Sequence, residues 1–183
     1  MKINIRSLKN SLIVVAIIAI VTVISITAGN IYGRIKESNT DWGISSKLVN
    51  TSIPKDAAVL RSSDTHGGFH GDGEYFVVFQ FTESQCMEFG KLSENGGWID
   101  LPVLHDLSKF IFGEKKGLEQ YEGHGENKIP KITRHGKYYF YDKFIKDNPQ
   151  YNGISIFDRP ASNFIFALLD FDNKKLYVMK YDS

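Results

Sequence analysis

Eleven residues, Asp64-Thr65-His66-Gly67-Gly68-Phe69-His70-Gly71-Asp72-Gly73-Glu74, hold four glycines, two histidines and three carboxylates. Imidazole and carboxylate together are the donor set of zinc and of other divalent transition ions. His66, His70 and Asp72 are the candidate metal ligands, and Asp64, His66, His70, Asp72 and Glu74 the candidate ligand-binding set. Asp64 or Asp72 could instead orient an imidazole from behind. A divalent metal held here would lower the pKa of its bound water to about 7, which is the chemistry of a metal-dependent hydrolase. The four-residue spacing of the histidines would align them on a helix, but the glycines oppose a helix and favour a folded loop. The plainer reading is a tight connection between two strands. Glycine there supplies positive φ angles and Asp64 and Asp72 bond the turn backbone. A loop that contacts another protein is a third reading.

The remaining chemistry is sparse. His105 and Asp106 stand in a helical stretch, while His124 and His135 stand alone in polar loops. Asp170 and Asp172 flank a turn. The glycines match neither a phosphate-binding loop nor a dinucleotide fingerprint, and there is no Gly-x-Ser-x-Gly or His-Glu-x-x-His. No catalytic set is therefore assigned, and no cofactor beyond the divalent metal. The single cysteine, Cys86, cannot form an internal disulfide and reads as a buried helix residue.

The elements that must position the loop are legible. A short strand is expected over 57–61, and a central strand over 75–81, where YFVVFQF is apolar on both faces. Thr82 and Gln85 form a capping box for a helix whose stripe is Cys86, Phe89 and Leu92, stopped by Asn95-Gly96-Gly97. Pro102 suits the first turn of a second helix. Val103, Leu104, Leu107, Phe110 and Ile111 give that helix its apolar face and Gly113 its end. A charged, glycine-containing loop over 114–130, a strand over 137–142 and a connection over 148–160 follow. A hairpin of 163–171 with 175–181 closes the chain. Strands before and after a helical middle predict an α+β domain with a mainly antiparallel sheet and about two helices on one face.

Ahead of this domain, 12–28 reads LIVVAIIAIVTVISITA, without a charge. Thr22, Ser25 and Thr27 are its polar residues, and a helix can bond such hydroxyls to its own carbonyls. With 29–32 included, the run makes about 31 Å of helix, near the hydrocarbon thickness of a bilayer. A cleaved signal peptide is the rival reading, but its apolar core is usually shorter, and Ile26 fits the cleavage pattern poorly. Lys2, Arg6 and Lys9 precede the run. They place a cytoplasmic tail at 1–11, a transmembrane helix at 12–32, a juxtamembrane linker at 33–52 and an extracytoplasmic domain at 53–183.

Without those three basic residues, 19 basic groups face 21 acidic ones, a net charge of −2. No basic stripe is present, which argues against nucleic acid as a partner. The run DTHGGFHGDGEYF, with KYYFYD, DRPASNF and ALLDFDNKKLYVMKYD, resembles small exported or membrane-anchored proteins of Gram-positive bacteria, a group without an established activity. That resemblance implies a bacterial cell membrane and assigns no residue a role. The expected function is a single-pass, membrane-anchored binding or interaction module for a protein or envelope ligand.

Overall fold

The structure is a computed structural model that describes residues 5–67, 71–116 and 119–183. It divides into two compact units, Met1–Thr40 and Asp41–Ser183.

In the first unit, helix α1 runs over Ile5–Ser38. Its side chains are described from Ile18, and 18–31 are all exposed. Ile18, Ile20, Val21, Val23, Ile24, Ile26 and Ile31 are the large apolar ones. Thr22 Oγ1 donates to the Ile18 carbonyl and Thr27 Oγ1 to the Val23 carbonyl, both at 2.8 Å. Each hydroxyl is thus satisfied one turn back in its own helix. Thr40 closes the last turn, its backbone N–H and hydroxyl both donating to the Glu37 carbonyl. Among the described residues no helix is long and apolar enough to cross a membrane. The expected span over 12–32 begins in side chains outside the described ones, and 18–31 alone make about 21 Å of helix. Helix continues to Ser38, beyond the expected end of the span.

The second unit is α+β, built on a six-stranded antiparallel sheet. Its strands are β1 (Ala58–Asp64), β2 (Gly73–Gln80), β3 (Ile99–Asp100), β6 (Gly136–Asp142), β7 (Phe164–Asp170) and β8 (Lys175–Asp182), in the order β1-β2-β8-β7-β6-β3. A separate hairpin pairs β4 (Glu114–Lys116) with β5 (Glu119–Tyr121). The helices are α2 (Asp41–Leu48), α3 (Glu83–Ser93), α4 (His105–Phe112) and the short α5 (Lys143–Asp147).

The expectation of helices on one face is overturned. Tyr75, Val77, Phe79, Ala167, Leu169, Leu176 and Val178 form one core with Cys86 and Phe89 of α3, and Trp42, Ile44 and Leu48 of α2 pack against it. Phe76, Val78, Phe164, Phe166, Leu168 and Met179 form the opposite core with Leu107, Phe110 and Ile111 of α4. The reason lies in the strands themselves. All seven residues of β7, FIFALLD, are buried. Leaving either face wet would forfeit about 1.5–3 kcal/mol per large side chain.

Local signals hold with specific exceptions. Thr82 and Gln85 make both bonds of the capping box of α3. The buried stripe of that helix is Cys86, Phe89, Gly90 and Ser93, while Leu92 is exposed. Gly90 belongs on the inner face because the Phe171 ring lies 3.0 Å from where a Cβ would stand. Pro102 precedes α4, whose N-terminal flanking residue is Leu104, exposed against expectation. Gly113, at φ 75°, ends α4.

Two expected irregular stretches carry structure. The loop over 114–130 contains the β4–β5 hairpin and a turn docked on α4. The linker over 33–52 contains α2 and the buried Ser45, Val49 and Thr51. Tyr75 explains this anchorage: its hydroxyl meets Ser45 Oγ at 3.1 Å and Asp41 Oδ1 at 3.0 Å. Burial raises its phenol above the usual range, keeping it a neutral donor to Asp41.

Candidate functional site: a histidine between two carboxylates

The glycine-rich segment joins β1 to β2, as its plain reading as a strand connection requires. It starts with a turn tied to its own aspartate. Asp64 Oδ1 accepts from the His66 backbone N–H at 2.9 Å and lies 2.6 Å from His66 Nδ1. Thr65 locks to the far side of the connection: its N–H donates to the Glu74 carbonyl, and its hydroxyl accepts from the Glu74 N–H at 2.9 Å. Gly73 is required by this approach, since a Cβ there would stand 2.6 Å from the His66 nitrogen.

The other side of the imidazole faces the far end of the chain. His66 Nε2 lies 3.1 Å from Asp182 Oδ2 at the end of β8. Antiparallel pairing of Gly73 with Asp182 places that residue here. Asp182 also takes Lys143 Nζ on Oδ1 at 2.9 Å and Lys180 on Oδ2. The His66 and Asp182 side chains are 18% and 12% exposed, so the pair is shielded, whereas Asp64 is 56% exposed. Burial alone would raise both carboxyl groups. Hydrogen bonds from His66 outweigh it at Asp64, and those from Lys180 and Lys143 outweigh it at Asp182, holding both below the ordinary range.

The five residues named from the sequence therefore part company. Asp64 and His66 meet. Glu74 turns to Lys128, which donates to both its oxygens at 2.8 and 2.7 Å. Asp72 is exposed. His70 lies outside the described residues. The metal reading asked for His66, His70 and Asp72 to converge. His66 has each ring nitrogen against a carboxylate, Asp64 on Nδ1 and Asp182 on Nε2, while His70 lies outside the described residues. Among the described residues no group of three or more His, Cys, Asp and Glu could hold a metal.

The imidazole thus clasps the exit of β1 to the end of β8. Asp182, Lys143 and Lys180 complete this clasp, and no sequence motif marked them. The one usable signal was the position of Asp182 at the end of a strand expected to pair.

The other histidines sort differently. His105 faces Asp106 at 3.1 Å and is exposed, as expected of a helix-surface residue. His135 is not alone, since Asp172 lies 3.3 Å from its Nδ1. His124 is packed among the rings of Phe110, Phe164 and Tyr181. Cys86 is buried and burial raises its thiol, so its chemistry is that of a small apolar group.

Compared with known proteins, the chain matches no family model, no curated protein and no solved structure.

Proposed function

We propose that this chain is a single-pass membrane protein that holds its α+β domain outside the cytoplasm as a non-enzymatic binding or interaction module. The observation that carries the reading is α1. From 18 to 31 it is exposed throughout and uncharged, its polar side chains being Thr22, Ser25, Thr27 and Asn30, of which Thr22 and Thr27 bond within the helix. A helix apolar all round needs a protein core or a bilayer around it. The six residues before Ile18, LIVVAI, extend the same composition. Lys2, Arg6 and Lys9 ahead of it orient the domain outward by the positive-inside rule. The bacterial resemblance agrees with this setting.

The module reading rests on His66. Its ring serves as a brace that ties Asp64, at the exit of β1, to Asp182, at the end of β8, so that these two strand ends are presented together. The partner class is a protein or a cell-envelope ligand.

Labelling tests the topology. Cys86 is buried, so Asn152→Cys on an exposed turn supplies the reactive thiol. Reaction of intact cells with a membrane-impermeant maleimide, and retention in the pellet after alkaline carbonate, are expected. Labelling only after lysis, or release by carbonate, would defeat the proposal. For the module, in-cell crosslinking should capture a repeatable partner that is lost on substitution of the 64–74 connection. Equal capture by that variant would remove the connection from the binding surface.

A further inference from the structure

On the sheet face opposite the His66 clasp, residues 123–129 form a turn over an aromatic cluster. The turn docks on the end of α4: the His124 N–H donates to the Phe110 carbonyl at 3.1 Å and the Gly125 N–H to the Ile111 carbonyl at 2.7 Å. These bonds satisfy two carbonyls that a helix end would otherwise leave open. The His124 ring lies 4.6 Å from Phe110, 5.3 Å from Phe164 and 4.5 Å from Tyr181, centroid to centroid. Phe110 and Phe164 are each 2% exposed, and Ile129 of the same turn is buried beside them. Phe157 and Tyr121 continue the cluster outward, with Phe157 6.0 Å from Phe110 and 5.2 Å from Tyr121.

We propose that the turn over 123–129 is an acid-released cover on this aromatic cluster, with His124 as the group that senses the proton. The claim stands apart from the membrane reading. A neutral imidazole packs among three rings at little cost, whereas an imidazolium there must surrender its water. The charged groups around it divide. Glu74 of β2 favours the cation, and Lys128 of the turn itself opposes it. Those two are paired with each other, which mutes both. Glu126 accepts the Gly123 N–H, and Lys109 of α4 is paired with Glu114 over the Phe157 ring. From β8 the turn meets the Tyr181 phenol ring. Burial is the largest influence and holds the imidazole below its usual range.

The sign follows from linkage. The released ring binds a proton near the ordinary histidine value of about 6.5, and the docked ring only at lower pH. Docking is therefore at full strength above about pH 6.5 and weakens as pH falls below it. Release exposes the amides of His124 and Gly125 and uncovers the rings of Phe110 and Phe164.

Hydrogen exchange of the full chain in detergent micelles, at about pH 7.5 and about pH 5 and corrected for intrinsic rates, tests this directly. Protection at the His124 and Gly125 amides should fall several-fold at the lower pH, while Val77 and Leu168 in the central strands hold theirs. His124→Phe, which keeps a ring in the cluster, should abolish the difference. An unchanged native turn, or the same fall in His124→Phe, would overturn the proposal. Should that variant misfold, the native chain decides alone: the His124 ring resonances and the Gly125 exchange rate must titrate together, and separate midpoints refute the link.

Discussion

Asp182 is the residue on which the clasp depends, because it receives His66, Lys143 and Lys180 from three parts of the chain. Its carboxyl, like that of Asp64, is held low in the folded state. A depressed carboxyl stabilises above its unfolded pKa of about 3.9 and loses that contribution as pH falls through the folded value. Thermal melts of the native chain should therefore fall off on the acid side below about pH 4. In Asp182→Asn that acid limb should flatten, and stability near neutrality should drop by about 1–3 kcal/mol. Melts with equal acid slopes would show that the clasp carries no charge linkage. Tyr138 supplies the opposite case. It is 1% exposed, and its hydroxyl has no hydrogen-bond partner among the described residues. A stranded buried hydroxyl costs about 1–3 kcal/mol, so Tyr138→Phe is expected to leave stability unchanged or raise it in denaturant unfolding. A clear loss would mean that the hydroxyl is satisfied.

At the scale of elements, α3 and β7 show where local pattern suffices and where it does not. The capping box of α3 needs only Thr82 and Gln85, three residues apart, and it was legible. Thr82→Ala should cost about 0.5–2 kcal/mol by denaturant unfolding. Its buried face was only partly legible. Leu92 looks like a core residue by type, yet the inner positions at i, i+3, i+4 and i+7 are Cys86, Phe89, Gly90 and Ser93. Residue type misled where position did not, and Phe171 against Gly90 explains why so small a residue stands on the inner face. The placement of helices on two faces follows from β7, where every residue is buried. Phe166→Ala on one face and Leu169→Ala on the other should each cost several kcal/mol, about 3–5 and 2–5 respectively. A large loss on one face alone would contradict a doubly covered sheet.

At the scale of the molecule, the division after Thr40 sets where the folded domain starts. Trp42, Ser45, Val49, Thr51 and Ile53 all contribute to its interior or its packing. A chain starting at Asp41 is expected to fold cooperatively, whereas one starting at Pro54 should melt at least several degrees lower or fail to fold. The Trp98 indole N–H, which donates to Thr51 Oγ1 at 3.0 Å, offers a fluorescence probe of that loss. Equal melting of the two chains would return 41–53 to the status of a linker.

The sequence by itself determined what depends on neighbours along the chain: the capping box, the doubly apolar strands, the closing hairpin and the apolar N-terminal run with its internally satisfied hydroxyls. It also singled out the connection in which His66 sits. The tertiary structure decided what His66 touches. Asp182 stands 116 residues away, and only strand register, set by burying β2 and β8 side by side, brings its carboxylate to the imidazole. The same register sets a carboxylate against each ring nitrogen of His66. Side-chain chemistry can be read from composition, but a partner is chosen by distance, and distance is settled when the core packs.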